Sequence, residues 1–502
     1  MPAAYDELRE RLAQVSDLGR VIRVLGWDQQ VIMPRGGAAP RAEQLATMRR
    51  VVHERFTDDE VGRLLEELRP YEESLPHDSN EASLVRVARR EYEKARRVPA
   101  DLAAELARAA SDGHEVWLRA RAESDFPRFL PALERNVELK HRYIDCFEPA
   151  AEPYDTLLDD YEEGATAAEV RVVFDRVKEA LVPLIASVRE AAPLDDGFLD
   201  GPWPIDRQQL LVRSILDRLG FDEGGWRLDL TAHPFASLSG LTDIRITTRY
   251  AEDSLTGLFA SIHEFGHGLY EAGSAPELDR TPICGGVSLG LHESQSRLWE
   301  NLVGRSRPFW RRFYPEIRDA FPETLGRVSE ETFWRGVNRV HPSLIRVEAD
   351  EVTYGMHVIL RFELEQEILS GAVALRDLPE AWNARMKEYL GVDVPSDADG
   401  VLQDVHWSGG IIGYFPTYLL GSIMSVQIWE RLRRDLPELD DQIEAGEFGP
   451  LAEWLREHLH SLGAKLTPKE TLARVVGGPL DPEPYIAHLR GKVAEVYGVT
   501  VS

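Results

Sequence analysis

Two histidines four positions apart, His263 and His267, enclose a glutamate, Glu264, in an HExxH pattern. Residues at positions i and i+4 lie one above the other on a helix, so both imidazoles can reach one ion. Glu264 is one step around the helix, where its carboxylate can take a proton from a water on that ion without occupying a coordination position. Gly266 has no side chain, and we expect it to keep the surroundings of the ion open. Because short patterns also arise by chance, a third ligand is the decisive feature.

Glu293 is the candidate for that third ligand, because two histidines and one glutamate form a known zinc-binding set. The segment Leu291–Glu300 reads as a second helix, and the connection Gly273–Gly290 is long enough to return the chain antiparallel, so that Glu293 faces the first helix. The alternative is a surface carboxylate. His292 is a weaker competitor, about 100° away on the helix. Cys284 could offer a thiolate, although a lone cysteine more often packs as a small hydrophobe.

The elements that position these residues are a helix and a preceding strand. Asp253-Ser254 is typical of a helix N-cap, and Gly273 is a plausible C-cap. The segment Asp243–Tyr250 alternates apolar and polar residues and is β-branched, which predicts a strand. The rest of the chain has mostly helical periodicity. We therefore predict a mainly α fold with one small β-sheet beside the metal site. The apolar positions of the predicted metal-site helix are Leu255, Leu258, Phe259, Ile262, Phe265 and Leu269.

The composition is that of an acidic globular protein. The chain has 502 residues, of which 43% are hydrophobic and 29% charged, and its net charge is −28. Such a charge repels phosphate backbones and anionic lipids, so we expect neither nucleic acid nor membrane partners. Two cysteines do not make a disulfide scaffold, and the charged N-terminal segment lacks an apolar signal sequence. A cytoplasmic protein is the resulting expectation.

Further patterns lie along the chain, and together with HExxH they resemble the carboxypeptidase Taq family of metallocarboxypeptidases. The resemblance extends over nearly the whole sequence. In chain order the patterns are His233-Pro234-Phe235, Asp243-Ile-Arg245-Ile-Thr247, His292-Glu293-Ser-Gln-Ser296, Ile345-Arg346-Val-Glu-Ala349-Asp350, Gly400-Val-Leu-Gln403-Asp404-Val-His406-Trp407 and Gly413-Tyr414-Phe415-Pro416-Thr417-Tyr418.

The resemblance implies a neurolysin-like fold, in which residues 1–502 form a single peptidase domain of two helical lobes flanking a deep groove. Family members remove single residues from peptide C-termini with broad specificity and disfavour proline. They are cytoplasmic homodimers that bind peptides through the free C-terminus. The resemblance also implies one Zn²⁺ per chain, for which Co²⁺ can substitute, and it makes Glu293 the third metal ligand.

A carboxypeptidase must hold the terminal carboxylate of its substrate, and an arginine guanidinium pairs with a carboxylate through two parallel hydrogen bonds. The resemblance points to Arg346 as this anchor, with Arg245 as a second candidate. We expect Asp243 and Thr247 to hold Arg245 and its strand. The alternative for Arg346 is a structural ion pair, for instance with Asp350 four residues later.

The oxyanion formed during peptide hydrolysis can be stabilised by a neutral or cationic hydrogen-bond donor. His406, Tyr414 and His233 are candidates, and the family motifs favour His406 and Tyr414 as catalytic residues, with His233 contributing to substrate binding. Asp404 is expected to orient His406. An aromatic residue such as Tyr414 is also common in packing.

The free ring nitrogen of a metal-bound histidine normally donates to a carboxylate or carbonyl. Glu271 and Glu300 are candidate partners for His263 and His267. Two other functions stay open for the chain as a whole. The first is an oligopeptidase or dipeptidyl carboxypeptidase of the same fold. The second is a non-catalytic peptide-binding protein, against which the intact HExxH pattern argues.

Overall fold

The computed structural model describes residues 1–498, and α-helices dominate it. The predicted mainly α fold is confirmed. The helices, in chain order, are α1 (Ala3–Val31), α2 (Ala38–Phe56), α3 (Asp59–Glu67), α4 (Arg69–Glu73), α5 (Asn80–Arg97), α6 (Ala100–Glu123), α7 (Phe126–Ile144), α8 (Pro153–Leu158), α9 (Ala167–Arg189), α10 (Ile205–Leu219), α11 (Thr256–Ala272), α12 (Leu289–Arg297), α13 (Arg307–Ala320), α14 (Pro322–Leu325), α15 (Glu330–Val337), α16 (Glu351–Ser370), α17 (Leu378–Arg385), α18 (Pro416–Asp435), α19 (Leu439–Ala445), α20 (Gly449–His458), α21 (Pro468–Val476) and α22 (Glu483–Tyr497).

One small sheet interrupts the helices. It contains β1 (Trp226–Leu230), β2 (Ala236–Gly240) and β3 (Asp243–Thr248), with β3 in the middle, parallel to β1 and antiparallel to β2. The predicted strand is therefore present and ends two residues earlier than expected. Ile244 and Ile246 are buried on the side that packs against α11, and this alternation gives the helix an apolar support.

The chain forms two compact units. The first contains Met1–Arg96, Asp195–Val337 and Gln427–Pro479, and the second contains Arg97–Leu194, Asn338–Val426 and, of the described residues, 480–498. The sheet, α11 and α12 belong to the first unit, whereas α9 and α16 belong to the second. Among the described residues, every helix is too short or too polar to cross a membrane.

Helix α11 is anchored in the first unit by its apolar face. Phe265 is fully buried, and its ring lies between the rings of Trp226 and Trp299, at centroid distances of 5.4 and 5.5 Å. Burying one such side chain contributes about 2–3 kcal/mol. The helix begins at Thr256, and its N-cap is Leu255, so the predicted N-cap at Asp253-Ser254 is wrong. The Ser254 hydroxyl still accepts the Thr256 N–H at 3.0 Å, and the helix ends at the predicted C-cap Gly273.

Helix α16 is a largely buried helix of the second unit, and it directly follows the motif Ile345–Asp350 in the chain. Its N-cap is Asp350, whose carboxylate accepts the backbone N–H groups of Val352 and Thr353 at 2.9 and 3.1 Å. The helix packs against α9 within the second unit. Along its length it buries Arg361 and Glu365, two charged residues that apolar periodicity alone does not explain.

Candidate metal centre and surrounding residues

Three side chains of the first unit converge on one point. His263 and His267 project from α11, and Glu293 projects from α12. The Nε2 atoms of the two histidines lie 3.7 and 3.6 Å from Oε2 of Glu293, and the three ligand atoms all lie within 4.8 Å of one another. Atoms about 2.1 Å from a tetrahedral ion lie about 3.4 Å apart. The spacing of the donor atoms therefore fits a single metal ion.

Gly266 explains how the two helices come close enough. A Cβ atom at this position would lie 2.7 Å from the backbone oxygen of Gln295 and 2.8 Å from Cα of Ser296. Such contacts are closer than carbon and oxygen atoms tolerate. Gly266 therefore faces the backbone of α12, and the expectation that it keeps the surroundings of the ion open is wrong.

Glu300 is the partner of the first histidine. It lies in a π-helical turn, Leu298–Val303, that directly follows α12. His263 Nδ1 is 2.9 Å from Oε2 of Glu300, and Arg305 donates to its other oxygen at 3.3 Å. Burial tends to raise the pKa of Glu300, but the hydrogen bond from His263 and the charge of Arg297 lower that pKa to about 2. The carboxylate thus stays charged beside the histidine.

Arg297 orients the third candidate ligand. Its Nε donates to Oε1 of Glu293 at 2.7 Å, and its Nη1 donates to Glu300 at 3.3 Å. Glu293 is 7% exposed, so its Oε1 is satisfied by the arginine while its Oε2 faces the two histidines. The sequence analysis missed Arg297, although its position four residues after Glu293 was a usable signal.

The neighbouring histidine, His292, lies outside the group of candidate ligands. Its Nδ1 is 2.6 Å from Nδ1 of His267, and its Nε2 is 2.8 Å from Oε1 of Glu271. Of the two expected carboxylate partners, Glu300 thus contacts a candidate ligand directly, whereas Glu271 contacts His292 instead.

Glu264, the candidate general base, is 6% exposed. Burial is the largest cause of a rise in the pKa of its carboxyl to about 7, and the charge of Glu293 adds to this rise. A carboxyl group with a pKa near neutrality can both accept and return a proton.

Cys284 packs against an apolar cluster of the first unit that includes Leu278 and Ile283. Burial raises the pKa of its thiol to about 11, so the thiol stays protonated near neutral pH. Cys284 is not part of the candidate ligand group in the described residues. The expected packing role therefore fits better than metal ligation.

The HPF and DxRxT motifs meet at the sheet, beside a cavity of about 700 Å³. Asp243 holds Arg245 through two hydrogen bonds of 2.9 Å, as expected. Thr247 instead holds Phe235, because its hydroxyl accepts the Phe235 N–H at 2.8 Å. His233 lies exposed in the loop before β2 and lines the cavity. The guanidinium of Arg245 also stacks over the ring of Trp27, which lines the same cavity.

Arg346 lies in a buried network of the second unit and is 5% exposed. Its Nε and Nη2 donate to Oδ1 of Asp404 at 3.1 and 2.8 Å, and its Nη1 lies 3.2 Å from the Tyr354 hydroxyl. Arg361 donates to the other oxygen of Asp404 at 2.6 Å. The suggested ion pair between Arg346 and Asp350 is wrong. Asp350 instead caps α16, and the ion-pair partner of Arg346 is Asp404.

His406 and Tyr414 lie close together in the same unit, with ring centroids 5.4 Å apart. His406 Nε2 is 3.2 Å from the hydroxyl of Tyr418, whereas its Nδ1 is 4.0 Å from Asp404. That distance is too long for the expected orienting hydrogen bond. Burial, together with the charge of Arg346, lowers the pKa of His406 to about 4, so the ring is neutral at pH 7.

Glu365 is a buried residue that the sequence analysis missed. Its Oε1 accepts the indole N–H of Trp407 at 2.8 Å, and its Oε2 accepts the Tyr154 hydroxyl at 2.7 Å and the Gly413 N–H at 3.0 Å. These hydrogen bonds hold Trp407 and Gly413, which lie next to His406 and Tyr414 in the chain. The only sequence signal was one acidic residue among the apolar positions of α16.

The fold is helical, one helix carries the HExxH pattern, the next helix contributes a carboxylate, and a buried glutamate lies beside them. Together these features define a helical metallopeptidase. The sequence model of the carboxypeptidase Taq (M32) metallopeptidases matches residues 7–493. The chain belongs to this family and is a metallocarboxypeptidase. The resemblance seen in the sequence motifs is thereby confirmed.

Relatives support this assignment over the full length of the chain. Thermostable carboxypeptidase 1 of Thermus thermophilus is 41% identical over 507 residues, which cover 99% of each protein. Carboxypeptidase 1 of Bacillus subtilis is 36% identical, with 98% of each protein covered. The crystal structure of an M32 carboxypeptidase from Deinococcus radiodurans R1 is 41% identical, has a TM-score of 0.95 and is matched over 99% of this chain and 100% of that one.

Proposed function

We propose that this protein uses one Zn²⁺ per chain to hydrolyse the last bond of peptides with a free C-terminus, releasing single residues with broad specificity. The observation that carries the proposal is the convergence of His263, His267 and Glu293, with the buried Glu264 beside them, in a chain of the M32 family.

His263, His267 and Glu293 would hold the ion. Two imidazoles and one carboxylate suit zinc and leave a coordination position open, as catalytic zinc requires. When bound, the metal polarises the scissile carbonyl as a Lewis acid. Co²⁺ accepts the same nitrogen and oxygen donors, so we expect cobalt to support activity as well.

Glu264 moves the protons of the reaction. Its carboxylate takes a proton from the attacking water, whose oxygen forms a bond to the carbonyl carbon. The protonated Glu264 then gives this proton to the amine nitrogen as the peptide bond breaks. A neutral His406 ring N–H or the Tyr414 hydroxyl donates a hydrogen bond to the oxyanion between these two steps.

Arg346 anchors the terminal carboxylate of the peptide. Asp404 holds the Nε and Nη2 edge of its guanidinium, while Nη1 carries two N–H groups, one more than its contact with Tyr354 uses. Arg245, whose guanidinium is already paired with Asp243, is the second candidate. His233, which lines the cavity, contributes to substrate binding.

A time course with an N-terminally blocked peptide tests the proposal. Mass spectrometry of the zinc-loaded protein should reveal products that lose one C-terminal residue at a time, and a chelator should stop the reaction. The same peptide with a C-terminal amide is the matched control and should be cleaved much more slowly. Internal fragments or two-residue steps would indicate an oligopeptidase or dipeptidyl carboxypeptidase, and no cleavage with any divalent metal would indicate a non-catalytic peptide-binding protein.

The proposal keeps three further features that the resemblance implies. C-terminal proline should be released slowly, which a peptide pair ending in proline or alanine tests. The protein should be a cytoplasmic homodimer, and light scattering coupled to gel filtration should then give the mass of two chains. Localisation of a tagged chain in its host tests the compartment.

A further inference from the structure

His292 stands between a candidate metal ligand and a carboxylate. Its Nδ1 lies 2.6 Å from Nδ1 of His267, and its Nε2 lies 2.8 Å from Oε1 of Glu271. The rings of His267 and His292 have centroids 4.5 Å apart. The three side chains therefore form one continuous row of hydrogen bonds that starts at the metal position.

If His267 binds the metal through Nε2, the direction of every hydrogen bond in this row follows. His267 Nε2 lies 3.6 Å from Oε2 of Glu293, so this nitrogen points to the position between the candidate ligands. A neutral imidazole that binds an ion through Nε2 carries its proton on Nδ1. That N–H donates to Nδ1 of His292, which must then carry its own proton on Nε2. This second N–H donates to Glu271, and each nitrogen in the row has one defined role.

We propose that His292 and Glu271 are positioning residues that fix the tautomer and ring orientation of His267 and so strengthen its binding to the metal. The inference rests on the ligand set in the proposed function. The two candidate histidine ligands reach a carboxylate differently. His263 donates directly to Glu300, whereas His267 is linked to Glu271 through His292. Of the adjacent residues His292 and Glu293, Glu293 is itself a candidate ligand, whereas His292 supports a different candidate ligand, His267.

The loop before α12 holds this row of side chains in place. A Cβ atom at Gly286 would lie 2.9 Å from the His292 ring, and one at Gly285 would lie 2.9 Å from Oε2 of Glu271. Gly285 also has a φ of +106°, a conformation that other residues rarely adopt. The two glycines thus let the backbone pack directly against both side chains, which restricts their movement.

Zinc affinity, measured by competition with a chromogenic chelator, tests the inference without relying on catalysis. His292→Phe keeps a ring but leaves the His267 Nδ1–H without its acceptor, and it should raise the Kd for Zn²⁺ about 10- to 100-fold. Glu271→Leu should raise the Kd in the same direction. Glu271→Gln should have a smaller effect, because its amide oxygen still accepts the His292 N–H.

His460→Gln is the matched control. His460 is a buried histidine of the same unit, and it hydrogen-bonds Gln295 of α12 at 2.9 Å rather than a candidate ligand. Its replacement should leave the Kd within about threefold of wild type, well below the change expected for a ligand's hydrogen-bond partner. Circular dichroism should report the same folded state for each variant, and if His292→Phe does not fold, the two Glu271 variants decide.

Two results separate this inference from the proposed function. Unchanged zinc affinity in both His292→Phe and Glu271→Leu would overturn the positioning role even if the enzyme is an active carboxypeptidase. The expected order of affinities without any peptide cleavage would support the positioning role and contradict the proposed function. The absorption spectrum of the Co²⁺-loaded variants gives a second readout, because a reoriented His267 should shift the cobalt bands.

Discussion

Each side chain that faces the metal position uses its second polar atom on a neighbour. Glu293 Oε1 accepts from Arg297, His263 Nδ1 contacts Glu300, and His267 Nδ1 contacts His292. Such partners orient ligands before the metal arrives and raise metal affinity. The candidate ligands His263 and His267 were predicted from their spacing, and Glu293 from its place on the next helix together with the family resemblance. Their hydrogen-bond partners could not all be predicted, because several carboxylates and basic residues lie at suitable sequence distances.

The role of Arg346 can be tested with one substitution. Arg346→Gln removes the guanidinium that would pair with the peptide carboxylate, so kcat/KM for a free-acid peptide should fall about 100-fold, corresponding to about 2.7 kcal/mol. The slow cleavage of the matching C-terminal amide should change little. Steady-state kinetics with the peptide pair measures both effects.

Arg245→Gln is the companion variant for this experiment, because Arg245 is the other candidate anchor. If Arg346→Gln lowers thermal stability while the preference for the free acid persists, Arg346 has only the structural role that its bonds with Asp404 suggest. If Arg245→Gln alone removes the preference, the anchor is Arg245.

At the level of helices and strands, local periodicity was a good guide. It located α11, α12 and β3 to within a few residues, because amphipathic patterns and caps act over short sequence distances. Local periodicity could not predict the hydrogen-bond network around Glu365, because the bonds from Trp407 and Gly413 to Glu365 span 42 and 48 residues. The same holds for Arg346 and Asp404, 58 residues apart.

Gly266 sets the distance between α11 and α12. Gly266→Ala places a methyl group against the α12 backbone, so we expect a loss of about 1–3 kcal/mol in unfolding free energy and weaker metal binding. Urea denaturation and zinc titration measure the two effects.

Gly19→Ala controls for the general effect of replacing a helical glycine. Gly19 lies inside α1, and a Cβ atom there would have no neighbour within 4 Å. This variant should be neutral or up to about 1 kcal/mol more stable, because alanine favours a helix. If both variants behave alike, close packing at Gly266 does not control the approach of the two helices.

Glu365 should make stability depend on pH. Burial raises its pKa from 4.5 to about 7, against the lowering effects of its hydrogen bonds and of Arg361, and Lys140 is a further nearby charge. A carboxyl group with a higher pKa in the folded state contributes stability below pH 4.5, and this contribution is lost as the pH rises through 7. The Tm of wild type minus that of Glu365→Gln should therefore decrease between pH 5 and pH 8. A difference that is constant or grows with pH would contradict the raised pKa of Glu365 in the folded protein.

For the whole molecule, family membership was predictable because its motifs extend along almost the entire chain. The expectation that neither nucleic acid nor an anionic membrane is a partner rests on the net charge of −28 alone and stays a prediction. The compartment, the dimer and the single-domain organisation stay predictions, because composition and periodicity do not determine them.

Metal binding should stabilise the folded chain as a whole. An ion that binds only the folded state adds about 4 kcal/mol when its free concentration is 1,000 times its Kd. The Tm of chelator-treated protein should therefore rise with added Zn²⁺, as scanning fluorimetry can measure. A Tm that does not respond to Zn²⁺ in wild type, or responds equally in Glu293→Gln, would argue against the assigned ligand set.

The most direct test of the central claim is to measure zinc content and peptide turnover in the same samples of wild type, Glu264→Gln and Glu293→Gln. Glu264→Gln should retain one Zn²⁺ per chain and lose turnover about 10²- to 10⁴-fold, because the proton acceptor is gone while the ligands remain. Glu293→Gln should lose both zinc and turnover. A Glu264→Gln variant that binds zinc and still hydrolyses peptides at the wild-type rate would contradict the assignment of Glu264 as the general base.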